Sequence, residues 1–107
     1  GKAEAAHGLH GGTKETAMLL HLRPDLVRRE AVAAFRSHGA VMEKDFTHLR
    51  ATGRTGYGWQ TQDLNPAGVV GDAKAATAEL GKALLDHAAQ GLAGLIRDLL
   101  RFELPQA

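Results

Sequence analysis

The clearest hydrophobic pattern lies in the last third of the chain. From Ala73 to Phe102 the sequence is dominated by Ala, Leu, Lys, Glu and Gln, and Leu80, Leu84, Ala88, Leu92, Leu95, Ile96 and Leu99 recur at three- and four-residue steps. This spacing draws one apolar stripe and predicts an amphipathic helix, with Asp72 as its N-cap. A helix of about 30 residues would run about 45 Å, long for a chain of 107 residues. Gly81, Gly91 and Gly94 each cost such a helix roughly 1 kcal/mol against Ala, so they suggest sites where another backbone approaches closely.

A shorter helix is predicted from Thr13. Thr13 can serve as N-cap, Glu15 and Thr16 fall in the first turn, and Ala17, Met18, Leu20 and Leu22 supply apolar positions. A carboxylate at Glu15 suits the positive end of the helix dipole. Pro24 ends this helix near Leu22 or Arg23. Asp25 to Phe35 reads as a short helix or turn anchored by Leu26, Val27, Val32 and Phe35. Around these segments the pattern is irregular. Gly1 to Gly12 holds four glycines and two histidines and reads as a loop. Ser37 to Gly58 also reads as loops, with one short strand expected around Thr55 to Thr61. Asp63-Leu64-Asn65-Pro66-Ala67-Gly68 carries turn chemistry, and Glu103 to Ala107 reads as a short tail.

Composition narrows the class. Hydrophobic residues make up 44% and aromatics 5%, which places the chain among globular proteins and favours close helix packing over an aromatic-rich sandwich. Thirteen basic and 12 acidic residues give a formal charge of +1, without the clustered basic face that nucleic acid or an anionic membrane surface would require. No apolar run reaches the roughly 20 residues that span a bilayer, so a soluble protein is expected. The absence of cysteine excludes thiolate metal sites and cysteine nucleophiles and fits a cytoplasmic location. The chain begins at Gly1 rather than Met, which points to processing or to upstream sequence.

The candidate chemistry sits in His10-Gly11-Gly12-Thr13-Lys14-Glu15. An imidazole and a carboxylate presented by a Gly-Gly loop at a helix start can converge on one divalent cation. The same residues also read as an exposed His on a flexible loop followed by a Glu that favours the helix dipole, and spacing alone leaves both readings open. The remaining histidines, His21, His38, His48 and His87, are most simply surface or packing residues; His7 shares the Gly-rich loop with His10. Asp63 and Asn65 can position a substrate or make an Asx-type turn.

Two blocks together resemble the creatininase family. His10-Gly-Gly-Thr-Lys-Glu15-Thr16-Ala17, then Leu22-Arg23-Pro24-Asp25-Leu26-Val27, is similar to its His-Ala-Gly-x-x-Glu-Thr-Ser and Arg-Pro-Asp-Leu-Val pattern. Asp63-Leu64-Asn65-Pro66-Ala67-Gly68-Val69-Val70-Gly71, running into Ala76-Thr77-Ala78-Glu79-Leu80-Gly81, resembles its second conserved segment. The resemblance implies an α/β fold, three layers in α/β/α order, of which this chain holds a C-terminal portion, mostly helical with a long C-terminal helix. It implies a metal-dependent amidohydrolase that cleaves a C–N bond of an amide or cyclic amide through a metal-activated water. The metals implied are zinc and/or manganese in a two-ion centre, and the assembly is a homo-oligomer, commonly a hexamer. Carried over by position, Glu15 and His10 are metal ligands and Trp59 shapes the substrate pocket.

The chain also departs from the pattern. Thr13 and Ala17 differ from the common residues, and Ala67 stands where creatinine-hydrolysing members carry a catalytic His. The family's other metal motif, Gly-x-x-Glu-x-His-Gly, does not occur in residues 1–107, so these residues are expected to form part of a single domain whose remaining ligands lie elsewhere. A peptidase acting on a small modified peptide, like the mycofactocin-precursor branch, is the nearest alternative. A non-catalytic half-chain that needs a partner is another.

Overall fold

Helices dominate the computed structural model, which describes residues 1–106; Ala107 lies outside the described residues. Among the described residues five α-helices occur: α1 Lys2–His7, α2 Thr13–Leu22, α3 Gly39–Asp45, α4 Thr61–Leu64 and α5 Ala78–Leu99. Short 3-10 turns cover Pro24–Leu26, Arg29–Ala31 and Ala73–Ala75. Two strands, β1 Ala34–Phe35 and β2 Gly71–Asp72, pair antiparallel with Ala34 opposite Asp72 and Phe35 opposite Gly71. An isolated antiparallel bridge joins His10 to Val70. The result is an α/β arrangement with a small sheet and a long C-terminal helix. None of the described helices is long and apolar enough to cross a membrane.

The two main helices behave largely as their patterns predict. Helix α2 starts at Thr13 with Gly12 as N-cap, and its backbone ends on Arg23, whose N–H donates to Leu19 O. The turn that follows is closed by Arg23, which donates from Nε and Nη2 to the two carboxylate oxygens of Asp25 at 2.9 and 2.7 Å. Helix α5 packs along α2. The contact is tightest where Gly81 faces the backbone of Ala17: a methyl group at Gly81 would lie 1.9 Å from the Ala17 carbonyl oxygen.

Several expectations need correction. Residues 1–12 are not all loop, because α1 spans Lys2–His7. Lys-Ala-Glu-Ala-Ala is a strong helix-forming run, and the flanking glycines masked it. The C-terminal helix does not start after Asp72: Asp72 accepts from Lys74 N–H and caps a 3-10 turn, and α5 begins at Ala78 with the Thr77 hydroxyl accepting from Leu80 N–H. No strand forms at residues 55–61; α4 starts at Thr61. Strand β1 ends the stretch Asp25 to Phe35 expected to be a short helix or turn, and β2 and helix α3 form where turns and loops are expected. Of the three glycines in α5, only Gly81 meets another backbone, for nothing lies near Gly91 or Gly94.

The core is small and sits off the α2–α5 contact. Met42, Ala51, Leu64 and Val70 are buried together, and Trp59 packs against them. The Trp59 indole Nε1–H donates to Ala51 O at 2.6 Å, which satisfies the one polar atom of a half-buried ring. The α5 stripe is only partly used. Leu84 and Leu85 are half-buried, whereas Leu92 and Leu99 stay 59% and 60% exposed. The reason is length: α2 has 10 residues and α5 has 22, about 15 Å against about 33 Å of helix.

Candidate functional site

The site is assembled where the two sequence blocks meet. Leu9 N–H and His10 N–H both donate to Val70 O, at 2.8 and 3.1 Å, and Val70 N–H donates back to His10 O at 2.8 Å. This locks the His10 backbone to the segment before β2. The chain then turns at Gly11, with φ of 65°, a conformation that costs glycine little. Gly12 and Gly71 lie against each other, since a methyl group at Gly71 would fall 2.6 Å from Gly12 Cα. Glycine is needed at Gly71 both for that approach and for its φ of 152°.

The start of α2 has no side chain at its own N-cap, Gly12, and Glu4 supplies the missing acceptor. Its Oε1 accepts from Thr13 N–H and its Oε2 from Asp72 N–H, each at 2.7 Å. The Thr13 hydroxyl donates to Asp72 O at 2.6 Å, completing a ring between α2 and β2. Desolvation is the strongest single influence on the Glu4 carboxyl and raises its pKa. The hydrogen bonds from Asp72 and Thr13, with the nearby N-terminal ammonium, outweigh it and hold the group below the usual carboxylate range. Sequence reading missed Glu4 as a positioning residue. Its only signal was an acid in a helix-forming run, and nothing in the sequence points to partners 9 and 68 residues away.

Glu15 and His10 stand on the outer side of this corner. Glu15 Oε2 accepts from Gly11 N–H and lies 4.0 Å from His10 Nδ1. The Thr16 hydroxyl donates to Gly11 O at 3.2 Å, bracing the same turn. Both the His10 and Glu15 side chains are more than half exposed. Two donors each roughly 2.0–2.2 Å from one ion stand about 3–4 Å apart, so the pair fits two places in the coordination sphere of a divalent cation. Among the described residues no group of three or more His, Cys, Asp or Glu side chains is placed to hold a metal. The contact from Gly11 N–H also gives Glu15 a capping role at the third position of α2.

The other sequence candidates fall elsewhere. Trp59 lies with the core cluster and reaches the site only through Val70, which carries His10 on its backbone. Asp63 accepts from Gln60 N–H at 2.8 Å and caps α4. Asn65 donates to Arg36 O and accepts from Ala67 N–H, both at 2.9 Å, making the Asx-type turn. His7 sits on α1 with Nε2 3.5 Å from Glu43 Oε2. His21, His38, His48 and His87 are exposed.

Beside Glu15 opens a cavity of about 500 Å³, lined by residues of α2, of the stretch 27–35 and of the segment around Val69. Its walls are largely apolar, with Leu19, Val27, Val32, Phe35 and Val69, and its charged lining residues are Glu15 and Arg28. A space of this size suits a small organic molecule.

A family model described as Creatininase: Creatinine amidohydrolase matches residues 1–96. No curated protein and no solved structure matches the chain.

Proposed function

The chain belongs to the creatininase family, and from that premise we propose that it contributes Glu15 and His10 to a divalent-metal centre that hydrolyses a C–N bond of an amide. Family membership points to chemistry of the amidohydrolase type. The observation that carries the finer reading is the convergence of the two side chains, His10 Nδ1 and Glu15 Oε2 at 4.0 Å, on a corner braced from three sides. The matched stretch also includes the segment that fixes His10 from behind, Val69 to Asp72.

The roles of these residues follow from their surroundings. Gly11 N–H holds Glu15 Oε2, which limits rotation of the carboxylate and leaves the second lone pair of that oxygen to an ion. The His10 backbone is pinned by Val70, so only its ring torsions remain to be set. Glu4 and Thr13 keep the start of α2 at a fixed distance from β2, and with it the spacing of the two donors. When bound, a divalent ion, zinc or manganese, supplies Lewis-acid activation of the amide carbonyl and of water. The remaining donors come from outside residues 1–107, and the whole forms a three-layer α/β/α domain in which α2 and α5 belong to one helical layer.

Metal content of the purified protein tests this. Glu15→Gln is expected to lower zinc or manganese affinity by about tenfold or more, since even loss of an outer hydrogen-bond partner costs on the order of 10- to 100-fold. Unchanged metal binding and amide hydrolysis in Glu15→Gln would overturn the assignment.

A further inference from the structure

We propose that Arg28 selects amides that carry a carboxylate, holding that group at the wall of the cavity whose other charged residue is Glu15. The inference rests on the reading of Glu15 as the reacting end of the site and adds the class of substrate. It starts from the distribution of charge in the cavity. Around about 500 Å³ of mainly apolar wall, the charged lining residues are one acid, Glu15, and one base, Arg28. Arg23 is spent on Asp25, and Arg50 donates to the carbonyls of Phe46 and Leu49. Arg28, by contrast, forms no ion pair among the described residues.

A free guanidinium on the wall of an apolar cavity offers a planar fork matched to a carboxylate. A dianionic phosphate fits less well, because a single cation faces it and Glu15 shares the space. The apolar residues that line the same space, with Val32, Phe35 and Val69, suit a hydrocarbon or aromatic body. The ligand class is therefore an amide with an apolar body and a monoanionic carboxylate. With the carboxylate at Arg28, the rest of the ligand occupies the space that Glu15 also lines.

Binding can be read without turnover. Benzoylglycine and benzoylglycinamide share one apolar body and one secondary amide and differ in the terminal charge. Titrated into the isotope-labelled chain, benzoylglycine is expected to shift the backbone amides of Val32, Val69 and Ala73 and to bind about tenfold more tightly than the neutral amide. Arg28→Gln should abolish that preference. Arg28→Lys should retain part of it, since the charge stays but the fork is lost. Acid and amide are compared without added metal, so a failure of the metal assignment leaves this result readable. Equal affinities for acid and amide, an unaltered preference in Arg28→Gln, or shifts confined to residues away from the cavity would each overturn the proposal. The exposed position of Arg28 makes misfolding of its variants an unneeded explanation, and an unchanged amide spectrum outside the cavity checks this.

Discussion

A single side chain, Glu4, joins three segments that are far apart in sequence. Its two oxygens accept from Thr13 and Asp72, and charge-assisted bonds of this kind contribute roughly 1.5–3 kcal/mol each at most. Glu4→Gln keeps the shape but turns one acceptor into a donor facing an N–H. It is expected to destabilise the chain by about 1–3 kcal/mol, measured by urea denaturation near neutral pH. The pH dependence has a definite sign. The folded-state pKa of Glu4 is lowered, so its stabilisation is fully present above the unfolded value of about 4.3. It is lost as pH falls from there through the lower folded value. Between those two points wild type should lose stability faster than Glu4→Gln, and the gap between their unfolding midpoints should narrow in acid. A constant gap down to the acid limit would refute the role given to the carboxylate.

At the scale of elements, the contact between α2 and α5 depends on a missing side chain. A methyl group at Gly81 would stand 1.9 Å from the Ala17 carbonyl oxygen and 2.9 Å from Met18 N. Both are backbone atoms of α2, which can retreat only if the helices separate. Gly→Ala inside a helix ordinarily gains about 0.5–1 kcal/mol. Gly81→Ala is expected to reverse that sign and cost about 1–3 kcal/mol through overpacking. Gly91→Ala and Gly94→Ala, with open space around the added methyl, should show the ordinary gain. Thermal melts of the three variants decide the matter, and a stabilised Gly81→Ala would show that the helices are not held at this distance.

For the molecule as a whole, apolar composition and apolar burial diverge. Leu64 is 2% exposed and Leu99 60%, although both are leucines in helical segments. Leu64→Ala is expected to cost about 2–5 kcal/mol, whereas Leu99→Ala should stay within about 0.5 kcal/mol of wild type; denaturation followed by helical circular dichroism compares them. The same divergence explains how much of the fold was legible. The three- and four-residue spacing of Leu80 to Leu99 specifies a helix, but spacing cannot say how much of its stripe a neighbour will cover. That depends on the length of α2, set independently by Pro24. The place of Glu15 at the start of α2 could be read from the local sequence. The pairing of His10 with Val70, and of Thr13 and Glu4 with Asp72, could not, because a hydrogen bond to a backbone group some 60 residues away leaves no residue-type signature at that partner. Asp63 and Asn65 were open to two readings, and their hydrogen bonds within α4 and the following turn engage them structurally.

The placement of Trp59 has a practical consequence. It is the only tryptophan in the chain, half-buried against Met42, Ala51, Leu64 and Val70 with its N–H donating to a carbonyl. Its fluorescence is therefore an optical gauge of that layer alone: emission moves to longer wavelength when the cluster opens to water. Fraying of α5 beyond Leu92 leaves it dark to the probe, and an optical melt and a helical one then divide the unfolding of the chain into its two halves.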